Sequence, residues 1–248
     1  SPKKVGPDAL RLKVADGMHA YLLTGHLSLG SRQIALGELF EAARRGRRFV
    51  EVGAETYAAL DAELQASLAA VDAVAREEGS KGQLVPAAAA PRLLELAESA
   101  PKVELSPGLE AARARVERSR RLRPEVPSDF RATLRDYQRE GFAWALRLAE
   151  LGLGGCLADD MGLGKTVQAL AVLTARADEG PALVVAPTSV MYNWLRDGER
   201  FAPGLEPRLY HGPGRTLEGL GPRAVVVTSY GVLLRDIEAL AGVRFSTL

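Results

Sequence analysis

Residues 159–166 read Asp159-Asp160-Met161-Gly162-Leu163-Gly164-Lys165-Thr166. Two glycines flanking one residue, followed by a lysine and a hydroxyl, are the ingredients of an anion cradle. Glycine lets the backbone take unusual dihedrals and come close to a ligand. If a helix begins there, its first N–H groups point at the anion and its dipole favours negative charge. Lys165 then sets a compact positive charge beside the β- and γ-phosphates of a nucleotide. The Thr166 hydroxyl is the expected Mg²⁺ ligand. Catalytic roles therefore fall on Lys165 and Thr166, and Asp160, Met161, Gly162, Leu163 and Gly164 complete the expected cofactor site. The general pattern places a further glycine where this chain has Asp159. The plain alternative is a glycine-rich turn that only caps a helix.

A phosphate loop must sit between a strand and a helix, and the flanking sequence predicts both. Gly155-Cys156-Leu157-Ala158 reads as a buried strand, with Cys156 as a small buried hydrophobe. A helix is predicted over about 165–178. Ala182–Ala186 and Ala224–Thr228 are apolar runs of strand length, with a second helix predicted over about 189–200. Strands and helices alternating in this way predict an α/β fold with a parallel sheet.

The first part of the chain has a different texture. Leu10, Leu12 and Val14 alternate, as do Leu27 and Leu29, which predicts strands. Ile34–Ala43 has helical spacing and Phe49, Val50 and Val52 suggest another strand. Tyr57, Leu60, Leu64, Leu68, Val71 and Val74 predict one helix over 55–78, broken by Gly79-Ser80-Lys81-Gly82. Arg113, Arg115, Arg118, Arg120, Arg121 and Arg123 form a basic helical run that Pro124 and Pro127 end. It reads as a solvated connecting helix, or as a brace contacting phosphates of a nucleic acid. The expected layout is a smaller α+β accessory region over 1–107, an Arg-rich linker over 108–127, and the α/β part over 128–248.

Composition narrows the function classes. Of 248 residues, 32 are Lys or Arg and 31 are Asp or Glu, so the net charge is only +1 and any nucleic-acid contact must come from a local patch. A single cysteine excludes an internal disulfide framework and a multi-cysteine zinc site. His19, His26 and His211 lack metal-ligand spacing. No apolar run reaches the roughly 18 residues that a membrane helix needs. No signal-peptide core follows Ser1-Pro2-Lys3-Lys4, and there is no initiator Met, so the chain reads as part of a longer, cytoplasmic protein.

Taken together, Ala158–Thr166 (ADDMGLGKT) resembles motif I of the Swi/Snf family of DNA-dependent ATPases in helicase superfamily two, where an Asp at the position of Asp159 is usual. Further segments follow in that family's order. Leu134–Ala145 (LRDYQREGFAWA) is similar to the adenine-recognising Q motif, with Leu134, Arg135, Tyr137 and Gln138 matching. Gln138 lies 27 residues before Lys165. Its carboxamide has one donor and one acceptor face, as reading an adenine edge requires. Ala186–Pro203 resembles motif Ia and its helix, with Asn193 and Trp194 matching the family's Asn-Trp pair and Trp194 read as a packing residue. Tyr210-His211-Gly212 and Arg215 resemble the next strand and loop. Thr228-Ser229-Tyr230 resembles motif Ib.

The resemblance implies a RecA-like P-loop lobe, the first of two, that uses ATP and Mg²⁺. It implies cofactor contacts at Gln138 and Arg135 besides the loop. It implies double-stranded DNA as partner, gripped along its backbone by Pro187, Thr188 and Ser189 and by Thr228, Ser229 and Tyr230. A bacterial, nucleoid-associated setting and no membrane follow from the same resemblance. No Asp-Glu-Ala string occurs after Thr228, so motif II is not within the chain. The expectation is a lobe incomplete before motif II, lacking the second lobe, that binds nucleotide weakly and does not hydrolyse it by itself. Two other readings stay open: a non-catalytic nucleotide- or partner-binding module, and a different P-loop phosphotransferase. No Asn-Lys-x-Asp guanine motif is present.

Overall fold

In a computed structural model, residues 3–5, 9–53, 56–78, 82–100 and 102–248 are described. The chain forms two compact units, Ser1–Arg121 and Leu122–Leu248.

The first unit carries strands β1 (Lys3–Val5), β2 (Leu10–Asp16), β3 (Ala20–Leu29) and β4 (Arg32–Ala35), then helix α1 (Leu36–Arg44). Strands β5 (Phe49–Gly53) and β6 (Thr56–Leu60), helix α2 (Ala62–Asp72), and strands β7 (Arg76–Glu77) and β8 (Gln83–Pro86) follow. Helix α3 (Ala90–Ser99), strand β9 (Lys102–Glu104) and helix α4 (Pro107–Arg121) complete it. The larger sheet runs β7-β8-β3-β2-β9, with β4 also on β3, and a small sheet runs β1-β6-β5. Long β3 holds β2 along one edge through Tyr21–Leu27, while β8 and β4 share its other edge. Leu10, Leu12, Val14 and Leu27 point into the core, as their alternation predicts, and Leu23 joins them, while Leu29 is only half-buried.

The helix expected over 55–78 is corrected. Tyr57 and Leu60 lie on β6, which pairs with β5 and β1, and only Ala62–Asp72 is helical. The Asp61 carboxylate accepts the Leu64 N–H at 2.8 Å and so fixes the helix start after the strand. Residues 79–81 of the expected breaker lie outside the described residues. The Arg-rich segment is helical over Pro107–Arg121 and belongs to the first unit. It buries Leu109, Ala112 and Val116. Arg113 pairs with Glu110, and Arg120 and Arg121 with Glu117, on the exposed face of the same helix.

The second unit has helices α5 (Asp136–Leu151) and α6 (Lys165–Ala175), strand β10 (Ala182–Val185), helix α7 (Thr188–Phe201), strands β11 (Glu206–Leu209) and β12 (Ala224–Thr228), and helices α8 (Tyr230–Arg235) and α9 (Ile237–Ala241). All its strand pairs are parallel, in the order β10-β12-β11. Central β12 is buried throughout. Val225 and Val227 face a core with Phe142, Leu170 and Met191, and Val226 faces a second core with Leu183, Val232 and Leu240. Burial on both faces explains the unbroken apolar run. The fold class is therefore α/β with a parallel sheet, as the sequence predicts.

The strand expected at 155–158 is not formed, and Cys156 is exposed rather than buried. A strand needs a backbone partner, and this segment pairs with no strand among the described residues: Gly155 and Leu157 line a cleft of about 840 Å³ together with Leu183 and Val185 of β10. On that edge of β10 the pairing is with Thr247, whose carbonyl accepts the Leu183 N–H at 2.9 Å.

Candidate nucleotide site

Helix α5 ends at Gly152, left-handed at φ 71°, and an irregular segment leads to the start of α6. Gly162 and Gly164 take φ of 86° and 78°, so both occupy the left-handed region that side chains avoid. Gly164 is the residue that caps α6, which places Lys165 and Thr166 in its first turn. The uncapped N–H groups of that turn and the helix dipole face the loop. Met161 stands 96% exposed at the tip.

Lys165 turns into its own loop. Its Nζ donates to the Asp159 carbonyl at 2.6 Å and to the Asp160 carbonyl at 2.9 Å. The ammonium is thus held among neutral acceptors, half-buried, at the place where the backbone opens. The lysine and the turned backbone form a cradle, and among the described residues no carboxylate pairs with Nζ.

Gln138 lies in the first turn of α5 and is buried. Its Oε1 accepts the Arg135 N–H at 2.9 Å and its Nε2 donates to the Leu163 carbonyl at 2.9 Å. The Tyr137 hydroxyl donates to the same carbonyl at 3.1 Å. The structure therefore brings Gln138 onto the loop, while Arg135 contributes its main chain and leaves its side chain exposed. Each end of the Gln138 amide makes one bond inside the protein, and its second N–H and second lone pair are those an adenine edge would use.

Two residues that sequence reasoning missed complete the arrangement. Gln168 is 2% exposed on α6 and its Nε2 donates to the Asp159 carboxylate at 3.0 Å. Gly141, on α5, faces it: a Cβ there would collide with Gln168 Oε1. The one available signal was a lone glutamine among the apolar residues of Lys165–Ala175.

The remaining expected contact residues separate into two kinds. Pro187, Thr188 and Ser189 are exposed at the start of α7, where main-chain N–H groups and hydroxyls face solvent. Thr228 is fully buried and its hydroxyl donates to the Tyr210 carbonyl at 2.9 Å. Ser229 is buried too, and its Oγ accepts the Val232 N–H at the start of α8. The expected contact through the Thr228 side chain is thus corrected to an internal role, and of this trio only Tyr230, 59% exposed, faces outward. Trp194 packs on the core as read from sequence. Nearby, Arg215 makes a two-pronged bond to Asp236 at 2.5 and 2.9 Å and donates to the Gly212 carbonyl. The Arg215 guanidinium holds the Asp236 carboxyl below its ordinary value.

Comparison with known proteins finds relatives of the second unit. Residues 137–248 match the SNF2-related domain. YwqA of Bacillus subtilis is 44% identical over 134 residues, covering 50% of this chain and 14% of that protein. The chromatin-remodeling ATPase INO80 of Arabidopsis thaliana is 40% identical over 129 residues, covering 45% of this chain and 9% of that protein. Helicase swr1 of Schizosaccharomyces pombe is 42% identical over 125 residues, covering 45% and 10%. Among solved structures, the SWI2/SNF2 ATPase core of Sulfolobus solfataricus in complex with dsDNA is 40% identical with a TM-score of 0.46, covering 50% of this chain and 27% of that one. The chain spans at most a seventh of the length of the curated relatives named here. Residues 137–248, which include the phosphate loop, are thus an SNF2-related domain, similar in sequence to ATPases of the Swi/Snf helicase group.

Proposed function

We propose that residues 122–248 bind ATP with Mg²⁺ through the 159–166 loop and serve as the nucleotide-binding part of an ATP-driven translocase acting on double-stranded DNA. The observation that carries this reading is the loop itself. Two left-handed glycines open onto the start of α6, Lys165 lies inside, and Gln138 of the preceding helix touches the same loop at Leu163. A phosphate entering the cradle replaces the Asp159 and Asp160 carbonyls as partners of Lys165, exchanging neutral acceptors for charged ones, which strengthens each bond. Thr166, in the first helical turn, stands ready to hold Mg²⁺. The metal would neutralise charge on the bridging phosphates. Gln138 and Arg135 would read the base.

The relatives' names support ATP use and a helicase or translocase role; the exposed start of α7, with Thr188 and Ser189, supplies donors suited to the phosphate oxygens of a DNA track. The incomplete-lobe reading holds that turnover needs carboxylates that follow Thr228 in the family pattern, and no Asp-Glu-Ala string is present. The chain by itself should then bind nucleotide weakly and hydrolyse none.

Titration calorimetry with Mg·ATP tests this, beside Lys165→Ala. Lys165 is the one lysine of residues 122–248. Its loss should weaken binding by about 100-fold, in line with losing charge-assisted bonds to phosphate. Equal affinity in both proteins would reject the phosphate loop. DNA-stimulated hydrolysis by the chain itself would reject the incomplete-lobe reading.

A further inference from the structure

Two glutamines cross between α5 and the loop-α6 segment in opposite directions. Gln138 leaves α5 and seats its amide over Gly164, where a Cβ would lie 2.6 Å from Nε2. Gln168 leaves α6 and seats its amide over Gly141 of α5, where a Cβ would collide with Oε1. Each glutamine thus fits only because the other segment presents a glycine. Their far ends grip the two ends of the same loop. Gln138 binds the Leu163 carbonyl at 2.9 Å, and Gln168 binds the Asp159 carboxylate at 3.0 Å.

The Gln168 arrangement is costly unless something depends on it. The residue is 2% exposed, and its Oε1 is buried with no hydrogen-bond partner among the described residues. An orphaned buried acceptor is destabilising. What the side chain does make is one charge-assisted bond, to the residue whose carbonyl also holds Lys165. Asp159 is therefore fixed on two sides, by its carboxylate to Gln168 and by its main chain to Lys165.

We propose that Gln168, seated against Gly141, is a positioning residue for the phosphate loop: through Asp159 it holds the front of the loop in the shape that accepts phosphate. This rests on the nucleotide-binding reading above. A ligand that binds one loop shape loses apparent affinity in proportion as that shape is less populated. Losing a charge-assisted hydrogen bond of this kind should lower that population about tenfold.

The test is Mg·ATP affinity of the full chain, with unfolding followed in parallel. Gln168→Glu turns a donor-acceptor pair into two facing carboxylates, and should weaken binding about tenfold or more. Asp159→Asn combined with Gln168→Glu restores one donor and one acceptor with the direction reversed. It should recover affinity to within about threefold of the parent, a rescue that a role in packing alone would not give. Gly141→Ala approaches the same side chain from the other helix. It should weaken binding even though alanine is the better helix former there, and it gives the result should the Gln168 variants fail to fold. Gln168→Glu and Gly141→Ala binding like the parent, while Lys165→Ala does not, would overturn the positioning role. A Gln168→Glu loss that the double variant fails to recover would overturn it too. A parent chain that binds no Mg·ATP would instead overturn the nucleotide reading.

Discussion

In residues 1–121 the polar side chains fasten finished elements to one another. Arg44 of α1 makes a two-pronged bond to Asp72 at the end of α2, Lys13 of β2 pairs with Glu104 of β9, and Asp16 at the end of β2 accepts from Ser106 and from the Gly108 N–H at the entrance of α4. In residues 122–248 the corresponding bonds run from a helix to an irregular segment. Gln138 and Gln168 hold the 159–164 loop, Arg215 ties the loop after β11 to Asp236, and Arg176 holds Ser246 and Thr247. Loops carry chemistry when a rigid scaffold positions them. The second unit uses its polar residues to do that positioning, and the first uses them to close itself.

That contrast can be broken most forcefully in the first unit's core. Leu23 is fully buried on β3. Leu23→Ala should cost about 2–5 kcal/mol in denaturant unfolding and leave Mg·ATP affinity untouched; a change in affinity would show that the units do not work separately. In the second unit, Thr228→Val removes the donor to the Tyr210 carbonyl and should cost roughly 1–3 kcal/mol by urea titration. If stability holds and duplex binding falls instead, Thr228 belongs at the DNA surface after all.

A smaller effect is expected at Asp236, whose carboxyl titrates below its ordinary value of 3.8 because Arg215 binds its charged form. A depressed carboxyl stabilises fully above its unfolded value and loses that contribution as pH falls through the folded value. The parent should therefore lose stability relative to Asp236→Asn as acid is added below 3.8, the two curves converging. Parallel curves would mean that Arg215 does not favour the charged form of Asp236 in the folded chain. Least of all should change at the exposed start of α7. Thr188→Ala should alter stability by no more than about 0.5 kcal/mol, while duplex DNA affinity, read by fluorescence anisotropy, drops modestly with its salt dependence unchanged, because a hydroxyl displaces no counterion. An unchanged affinity would remove this helix start from the DNA surface.

Much of the second unit was legible in the sequence because its signals are local. Ala182–Val185 and Ala224–Thr228 are runs only a doubly covered strand tolerates, and Gly164 followed by Lys165 marks a helix start. Gly155–Ala158 carries a similar apolar run and fails, because a strand depends on a neighbour the run itself cannot supply. Tyr57 and Leu60 fit helical spacing, and pairing with β5 and β1 overrides it. At the site, residue types announced the loop but not its braces. The Gln168 to Asp159 bond spans nine positions, and the glycine that admits it lies on a third segment. Hydroxyls at the end of β12 looked available for contact because nothing local reveals that the Tyr210 carbonyl would claim one of them.

Cys156 gives the protein a built-in optical handle. It is the only thiol in the chain, it is exposed, and it precedes Asp159 by three residues. A maleimide dye would attach there and nowhere else, without any engineered cysteine. Its emission would report in real time on the segment leading into the loop, so that binding kinetics can be followed on the unaltered sequence.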